Sequence, residues 1–573
     1  MKVHFPRLSF IAVLLAMGIA APTGATQPVE GQSLSGTYLA GRSASKLRDN
    51  DLAADYLRQA LELDAANPVL IERLFLLELA EGEMEAAAAL ARKVLGFNSQ
   101  HRMARIVIGL GEFRERRYGA ARRDFAAAAY TPVGELTSAL LIAWSHAGEG
   151  DLNLALRELD KLDSNDSFAN FKSLHGGLIA DFLGNSIRAE AFYRKAYEQA
   201  GTSLRIVQAY GNFLARNGRG EEARKIYGEF LAGGEDHPLI AAALADLRAG
   251  KTPESFIKVP AAGAAEALFS LASAMTDDQN IDVGLLYARL ALTMTGDQPI
   301  VATLLGDIYS DIEQSDRSID AYASVPEASP LRSNAEMQIA VNLQRLDRRD
   351  EAIAKLQALI FREPANYNAL LTLGNIYRNN QDYVGAGATY ERAIDLIAAP
   401  QRSHWRVYYY AGIAFERQKQ WDKAEKFFRR SLELSPDEPM VLNYLGYSMV
   451  EKKINLNEAL EMIRKAVELK PNDGYIVDSL GWAFYQLGDY EQALVHCERA
   501  VELLPADPII GEHLGDVYWR MGRKLEAKFQ WQHAKDNKPE PEDLKRIEDK
   551  LINGLADEPP VTPAQSDTAP SNG

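Results

Sequence analysis

The sequence predicts an all-α fold, an α-solenoid of about 14 stacked helix–turn–helix units. Two observations predict it. An alanine recurs every 34 residues, six times in succession, in the N-terminal part of the chain: Ala53, Ala87, Ala121, Ala155, Ala189 and Ala223. The segment from Asp478 to Pro508 also matches the segment that follows it, when it is shifted by 34 residues. A fixed period of this length is typical of repeated helical pairs.

Each position of the C-terminal period has a physical role. Gly481 and Gly515 lie where the first helix of a unit crosses the second, so a side chain there would hold the helices apart. Cys497 and Trp531, also one period apart, are expected to fill the space between the helices. Pro505 ends the second helix, because proline cannot continue the helical hydrogen bonds.

This pattern resembles the tetratricopeptide repeat (TPR), a helix–turn–helix unit of 34 residues. The repeat frame predicts an N-terminal array of about six units at 34–237, an interruption or hinge at 238–264, and a C-terminal array of about eight units at 265–541. Two arrays imply two superhelical arms. A helix at 542–555 is expected to cap the last unit, and the tail at 556–573, rich in proline, serine and acid, is expected to be disordered.

The first residues of the chain predict an export signal. Lys2 and Arg7 form a short positive region before an apolar run, Leu8–Ala21, and small residues follow near Ala25. A membrane helix needs roughly 20 apolar residues, and this run is shorter. We therefore expect a cleaved signal peptide at 1–25, no stable membrane span after cleavage, and a periplasmic location in a Gram-negative bacterium. Because no cysteine stands directly after the run, no lipid-bearing N-terminal cysteine is expected.

Charge and motifs argue against nucleic-acid binding and against catalysis. The net charge is −16, which opposes generic binding to a polyanion. The sequence has no P-loop, no nucleophile-elbow motif and no pair of cysteines. The repeats also leave no stretch of about 100 residues for a catalytic domain. We expect no catalytic residue, no cofactor and no metal site; an enzyme such as a TPR-bearing transferase is a distant alternative.

His496 and Cys497 are the one adjacent pair that suggests a reactive site. Neighbouring residues of a helix do not face each other, so the two side chains are not expected to act together. Cys497 also occupies a position at which other units have Phe428, Tyr390 or Trp531. It is therefore expected to be a buried filler.

The first helices of stacked units are expected to line a concave groove. The second, fifth, ninth and twelfth positions of each unit point into it, and in the C-terminal units these positions contain aromatic and polar residues suited to partner binding. The predicted groove residues are Tyr409, Tyr447, Tyr475, Trp482, Tyr485, Trp519, Asn443, Asp478, Glu512 and Asp516. The alternative is that several of them pack only against the neighbouring first helix. TPR clamps for a C-terminal carboxylate also use lysines; Asn375 and Arg406 have no matching lysine, so that clamp is not expected.

The segment Asp478–Ala534 is similar to the end of large TPR proteins that proteobacteria export. In some of these, a long array wraps a carboxyl-terminal processing protease and delivers cell-wall hydrolases to it. The resemblance implies a non-catalytic scaffold or adaptor of the cell envelope, with a periplasmic protease and cell-wall hydrolases as partners. Those adaptors are lipid-anchored, whereas this chain lacks the cysteine. Alternatives are a scaffold for envelope polysaccharide export or outer-membrane assembly, and self-association through the ends of the array.

Overall fold

The structure, a computed structural model, describes residues 33–233, 237–277, 279–296 and 298–556. The predicted signal peptide at 1–25 lies outside these residues, and so does the predicted tail beyond residue 556. Within the described ranges the chain forms 30 α-helices and no strand, which confirms the predicted all-α class.

The helices follow one another in pairs along most of the chain. Three short 3₁₀ helices, at Lys161–Ser164, Asp166–Phe168 and Arg402–His404, lie in connections between them. The α-helices are α1 (Leu34–Lys46), α2 (Asn50–Leu63), α3 (Pro68–Glu81), α4 (Met84–Phe97), α5 (Arg102–Arg114), α6 (Tyr118–Ala127), α7 (Pro132–Gly148), α8 (Leu152–Asp160), α9 (Ala169–Phe182), α10 (Ser186–Ala200), α11 (Leu204–Arg216), α12 (Gly220–Ala232), α13 (Pro238–Arg248), α14 (Pro260–Ser273), α15 (Ile281–Thr295), α16 (Pro299–Asp311), α17 (Ser315–Ala323), α18 (Arg332–Arg345), α19 (Arg349–Arg362), α20 (Tyr367–Asn379), α21 (Tyr383–Asp395), α22 (Trp405–Arg417), α23 (Trp421–Leu434), α24 (Pro439–Glu451), α25 (Leu456–Leu469), α26 (Gly474–Gln486), α27 (Tyr490–Leu503), α28 (Pro508–Arg520), α29 (Lys524–Asp536) and α30 (Pro541–Asn553).

The pairs form a helical solenoid, as predicted. Helices α1 to α12 make six pairs, α13 packs against α11 and α12, and α14 pairs with α15. Helices α18 to α29 make six further pairs before α30 ends the series. Within the C-terminal part each pair packs on the next one, so contacts run mainly between neighbours in the chain.

The small residues of the repeat act as the sequence predicts. A Cβ atom added at Gly481 would lie 2.5 Å from the sulfur of Cys497, and one added at Gly515 would lie under 3.0 Å from the indole of Trp531. The filler side chains of Cys497 and Trp531 are themselves fully buried. Glycine on α26 and α28 therefore permits the close crossing of the two helices in each pair.

The turn inside most pairs contains a left-handed residue. Gly488, between α26 and α27, has a φ of 79°. In the equivalent turn between α22 and α23, Lys419 adopts a φ of 61°, which costs roughly 1–2 kcal/mol for a residue with a Cβ atom. The turn is thus set by the helix pair around it, and glycine is the less strained choice at that position.

The chain divides into two compact units, the first ending at Gln314 and the second beginning at Ser315. In the N-terminal unit, α14 packs against α7 and α9, and α15 packs against α3 and α5. These four partners are first helices of their pairs. Helices α14 and α15 therefore lie on the face that the first helices of the N-terminal pairs present, rather than only on the preceding pair.

Specific contacts fix α14 and α15 on that face. A Cβ atom added at Gly263 of α14 would lie under 3.0 Å from the indole of Trp144 on α7. The Tyr287 hydroxyl of α15 lies 2.9 Å from the Thr137 hydroxyl of α7. Arg205 of α11 donates from Nε to Glu266 of α14 at 2.9 Å. These contacts thus join the pair to two first helices, α7 and α11.

The segment of the predicted interruption, 238–264, contains helix as well as irregular chain. Helix α13 covers the first part of that segment, residues 249–259 are irregular, and α14 already begins at Pro260. The change of unit comes later, between α16 and α17. The physical reason is that α14 and α15 pack back on the N-terminal first helices, so they belong to that unit although they follow the irregular segment.

The C-terminal unit has a continuous apolar core that runs along its later pairs. The core joins side chains from α22 to α30, and includes Tyr409, Leu445, Tyr485, Trp531 and, on α30, the fully buried Ile547. Across the residues described here, no helix is both long and apolar enough to cross a membrane.

Candidate partner-binding site

The predicted groove residues all lie on first helices of the C-terminal unit, on α22, α24, α26 and α28. Their exposure differs widely, and this divides them into three groups. Tyr409, Asp478, Tyr485, Glu512 and Asp516 are buried; Asn443, Tyr447, Trp482 and Trp519 are half-buried; and Tyr475 is 57% exposed.

A cavity of about 250 Å³ lies between α24, α26 and α28. Four predicted residues line it: Asn443, Tyr447, Tyr475 and Asp478. The cavity walls are formed by Asn443, Tyr444, Tyr447, Tyr475, Asp478, Ser479, Asp507, Ile509, Ile510 and His513. Three consecutive first helices thus bring aromatic, apolar and acidic side chains around one space.

Two acceptor atoms in the cavity wall lack a hydrogen-bond partner. Oδ1 of Asn443 and Oδ1 of Asp478 are both buried, and no donor among the described residues reaches either of them. Asp478 itself is only 5% exposed. A buried acceptor without a donor costs roughly 1–3 kcal/mol, so a ligand that supplies donors here gains that amount back.

The second oxygen of the Asp478 carboxylate is occupied. Its Oδ2 lies 2.8 Å from Nδ1 of His513, and both side chains are buried. Burial lowers the pKa of His513, but the carboxylates of Asp478, Asp516 and Glu512 more than offset it, so the pKa is raised above its ordinary value. The histidine therefore holds Oδ2 of the aspartate, whereas Oδ1 is buried without a donor among the described residues.

An aromatic stack supports this pair. The indole of Trp482 stacks on His513 with ring centroids 4.0 Å apart, and on Tyr485 with centroids 4.6 Å apart. Trp482 donates from Nε1 to Glu451 at 2.6 Å, and Arg520 donates from Nε to the Tyr485 hydroxyl at 3.2 Å. Trp482 and Tyr485 thus position His513 and do not line the cavity themselves.

Helix α30 covers the C-terminal end of the same face. Arg546 donates to both carboxylate oxygens of Glu512 at 2.6 Å, and Lys550 donates to Glu512 and Asp516 at 2.6 Å each. Trp531 also donates from Nε1 to Asp516 at 2.9 Å. The two acids of α28 that the sequence places in the groove are therefore neutralised by cations from the chain's own last helix.

The protonation of these acids follows from their surroundings. Burial raises the pKa of Glu512, but hydrogen bonds from Arg546 and the charge of Lys550 outweigh it and lower the net value. Burial raises the pKa of Asp516, and Lys550 only partly offsets it. Glu512 is the acid on which the two cations converge, and it is 1% exposed.

Trp519 and Tyr409 lie apart from the cavity. A Cβ atom added at Gly554, just after α30, would lie under 3.0 Å from the indole of Trp519, so the end of the chain's last helix rests on that ring. Tyr409 packs against Phe428 and Tyr444 in the core of the unit. Both placements have a packing reason within the chain, and a partner-binding role for either residue stays a prediction.

Sequence reasoning missed several residues of the cavity, above all His513. It stands at the sixth position of its unit, beside the inward fifth position, and the frame therefore excluded it. An ionisable pair inside the apolar run of "PIIGEHLGD" was the available signal. Asp507 was missed because it is the N-cap of α28, where its carboxylate accepts from the backbone of Ile509 and Ile510.

Cys497 and His496 form no reactive pair. Burial raises the pKa of the Cys497 thiol well above its ordinary value, and the sulfur packs against Gly481. The ring of His496 stacks on Phe484 instead. Among the residues described, no group of histidine, cysteine and acidic side chains could hold a metal ion.

Family models match the chain in three segments. The model described as "Tetratricopeptide repeat" matches residues 37–67, a second model of that description matches 366–437, and a model described as "TPR repeat" matches 481–522. The last segment begins at Gly481 and covers α27 and the cavity-lining part of α28.

Solved structures of several helical-repeat proteins are similar to the chain. A tetratricopeptide repeat protein from Parabacteroides merdae ATCC 43184 has 14% identity over 44% of this chain and 99% of its own, with a TM-score of 0.38. The APC/C hetero-tetramer Cut9–Hcn1 has 13% identity over 92% and 97%, with a TM-score of 0.37. Yeast Tom70 has 14% identity over 91% and 95%, with a TM-score of 0.34. No curated protein shows a significant match.

Proposed function

We propose that this chain, a tetratricopeptide repeat protein, is a non-catalytic scaffold or adaptor of the cell envelope that binds partner proteins or peptides through the first helices of its C-terminal unit. Repeats of this kind bring many side chains to one extended surface, which suits protein recognition. The observation that carries the proposal is the open cavity between α24, α26 and α28, with Tyr447 and Tyr475 in its wall.

The cavity has the composition of a recognition site. Aromatic side chains bury a large area at a low cost in conformational entropy, and they dominate the binding energy of many protein interfaces. Tyr475 is more than half exposed and borders the apolar side chains of Ile509 and Ile510. In the described part of the unit Tyr475 stays exposed, whereas α30 already occupies the neighbouring acids Glu512 and Asp516.

In the N-terminal unit the corresponding first-helix surface is already covered, which favours the C-terminal unit as the binding surface. The first helices that would line a groove there already pack against α14 and α15 of the same chain. Contacts such as Thr137 with Tyr287, and Arg205 with Glu266, fill that face with the protein's own side chains. A partner that uses the first-helix face therefore finds accessible positions in the C-terminal unit.

The location and partner class rest on the sequence. The apolar run Leu8–Ala21 supports export, and a periplasmic protein of this kind is a component of the envelope. The similarity of Asp478–Ala534 to exported proteobacterial adaptors supports delivery of cell-wall hydrolases to a periplasmic protease. That segment supplies six residues of the cavity wall: Asp478, Ser479, Asp507, Ile509, Ile510 and His513.

Affinity capture from the envelope tests the proposal. The full chain carrying Tyr475→Ala and Ile509→Ala is compared with the wild type, and captured proteins are identified by mass spectrometry. We expect a set of partners that the double variant loses, including a protease and wall hydrolases. Both changes shorten side chains that are not fully buried, so helicity and thermal stability should change little.

Phe529→Ala is the matched control. Phe529 is an aromatic residue of the same unit, it is 68% exposed on the second helix α29, and it does not line the cavity. It should leave capture unchanged. If the double variant captures the same proteins as the wild type, binding does not use the cavity. If polysaccharide-export components are captured instead of a protease, the adaptor version of the proposal fails.

A further inference from the structure

We infer that the cavity between α24, α26 and α28 accepts a basic side chain, an arginine, from an extended segment of a partner protein. This inference rests on the proposed function, because it names the chemistry that the same surface recognises. Three features carry it: two unpartnered acceptor atoms, tyrosine side chains around them, and an acidic wall without lysine or arginine.

The acceptors are placed on neighbouring helices. Asn443 Oδ1 comes from α24 and Asp478 Oδ1 from α26, and both residues line the cavity. Neither atom has a hydrogen-bond donor in the described part of the chain, whereas the other oxygen of Asp478 is held by His513. A guanidinium group presents five N–H donors in a plane and can satisfy two separated acceptors at once.

The tyrosine side chains of the cavity can contact both the charged guanidinium and the methylene groups of an arginine. Tyr444, Tyr447 and Tyr475 line the same space, and aromatic faces attract a guanidinium through their quadrupole. The methylene groups of an arginine side chain would pack against Ile509 and Ile510, while its charged end reaches the acceptors. This arrangement fits arginine better than a short polar side chain.

The charge of the wall has the right sign. Two carboxylates, Asp478 and Asp507, line the cavity, and His513 is the single lining residue that can be a cation. The nearby cations Arg546 and Lys550 are engaged by Glu512 and Asp516. An anionic group of a partner would meet carboxylates and unpaired acceptors here, which excludes a carboxylate clamp at this position.

Titration calorimetry with the full chain tests the inference. The probes are blocked pentapeptides, acetyl-Ala-Ala-X-Ala-Ala-amide, in which X is arginine, lysine, citrulline, leucine or glutamate. Citrulline keeps the shape of arginine but has no charge, so it isolates the cation. We expect the arginine peptide to bind about tenfold or more tightly than the citrulline peptide, with lysine between them and glutamate undetected.

Two variants link the preference to the named acceptors. Asp478→Asn removes the carboxylate and should reduce arginine binding about tenfold, whereas Glu491→Gln, an exposed residue of α27, removes the same charge elsewhere and should have no effect. Asn443→Asp adds a carboxylate at the other acceptor and should strengthen arginine binding. A gain of affinity cannot result from misfolding, so this variant keeps the test meaningful if Asp478→Asn destabilises the unit.

Equal binding of the arginine and citrulline peptides would overturn the inference. So would unchanged arginine binding in Asp478→Asn and Asn443→Asp, or no binding of the arginine peptide at millimolar concentration. These results are separate from the capture experiment. If capture depends on Tyr475 and Ile509 but the cavity shows no preference for arginine, the scaffold proposal stands without the cation site. If the arginine peptide binds but capture is unaffected by the double variant, the cation site stands and partner binding through the cavity fails.

Discussion

At the scale of single residues, the role of a side chain depends on what the neighbouring pair places against it. Cys497 and Trp531 occupy the same repeat position, and each fills the gap beside a glycine of the first helix. Asp478 and Glu512 also occupy one repeat position. Glu512 is matched by Arg546 and Lys550, whereas Asp478 keeps one oxygen without a donor.

Two glycines of α28 give a matched prediction about helix packing. Gly515→Ala places a Cβ atom against the indole of Trp531, which is backed by a fully packed core, so it should destabilise the C-terminal unit by about 1–3 kcal/mol. At Gly511 the added atom would lie 3.4 Å from Ala534, an ordinary contact. Gly511→Ala should be neutral or stabilise by about 0.5–1 kcal/mol.

Urea unfolding of the two alanine variants, followed by circular dichroism, measures the difference. Both changes add one methyl group to the same helix, so helix propensity cancels between them. Equal stability of the two variants would show that the crossing at Gly515 has room to adjust, contrary to the packing described here.

His513 gives a prediction about pH. Its pKa in the folded protein is raised above the ordinary value, despite burial, because the Asp478 carboxylate and its acidic neighbours favour the charged ring. A raised pKa means that the histidine contributes stability below the unfolded-state pKa of about 6.5, and that this contribution is lost as the pH rises through the folded-state pKa. The stability lost in His513→Gln should therefore be larger at pH 5.5 than at pH 9.

Unfolding free energies of wild type and His513→Gln at the two pH values test this linkage. The difference between the proteins should shrink toward alkaline pH. A difference that grows as the pH rises would mean that His513 is neutral in the folded state, and that Asp478 receives a hydrogen bond from a neutral ring.

At the scale of helices, α30 does more than end the solenoid. Its Ile547 is fully buried, and its Arg546 and Lys550 bond to the acids of α28. These contacts replace those that a following repeat would make, because each pair in a solenoid buries its face on a neighbour. The cationic side of α30 also decides which acids of the first-helix face remain accessible.

Lys550→Met tests the role of that helix. Lys550 bonds to Glu512 and Asp516, both almost fully buried. Its loss removes the cation that bonds to Asp516, whereas Glu512 keeps Arg546. Removing one partner of a buried ion pair costs about 3–5 kcal/mol, and we expect a loss of that order in the C-terminal unit. The double variant with Asp516→Asn should recover part of it. Additive losses in the two single variants, measured by urea unfolding, would contradict the coupling.

Much of the element order could be predicted from the sequence, because each repeat reports its own helix pair. The six alanines of the 34-residue period lie one on each second helix of the first six pairs, from Ala53 on α2 to Ala223 on α12. The packing of α14 and α15 could not be predicted, since repeat positions encode contacts between neighbours only. Gly263 shows this: a Cβ atom there would meet the indole of Trp144 on α7, which does not belong to a neighbouring pair in the sequence.

The candidate site could be predicted only in part for a related reason. The repeat positions that point into the groove correctly include Asn443, Tyr447, Tyr475 and Asp478, which line the cavity. The same positions also predicted Glu512 and Asp516 as groove residues, because the sequence of one unit does not reveal that α30 supplies the counterions of these acids.

At the scale of the whole molecule, the two units present different surfaces. The first-helix face of the N-terminal unit is occupied by α14 and α15, and its polar contacts are internal. The C-terminal unit keeps a cavity with exposed and unpaired groups between α24 and α28. A scaffold built in this way should therefore recognise partners through its second unit, while the first is stabilised by its own chain.

Site-specific photo-cross-linking in living cells tests whether the protein binds its partners at the cavity of the C-terminal unit. A benzoylphenylalanine residue is placed at Tyr475 or Ile509 in the cavity wall, or at Phe529 on α29 as the control, in the full-length chain. We expect protein cross-links from both cavity positions and only background from Phe529, with cross-linked partner segments that contain arginine. Equal cross-linking from all three positions, or none from the cavity, would contradict it.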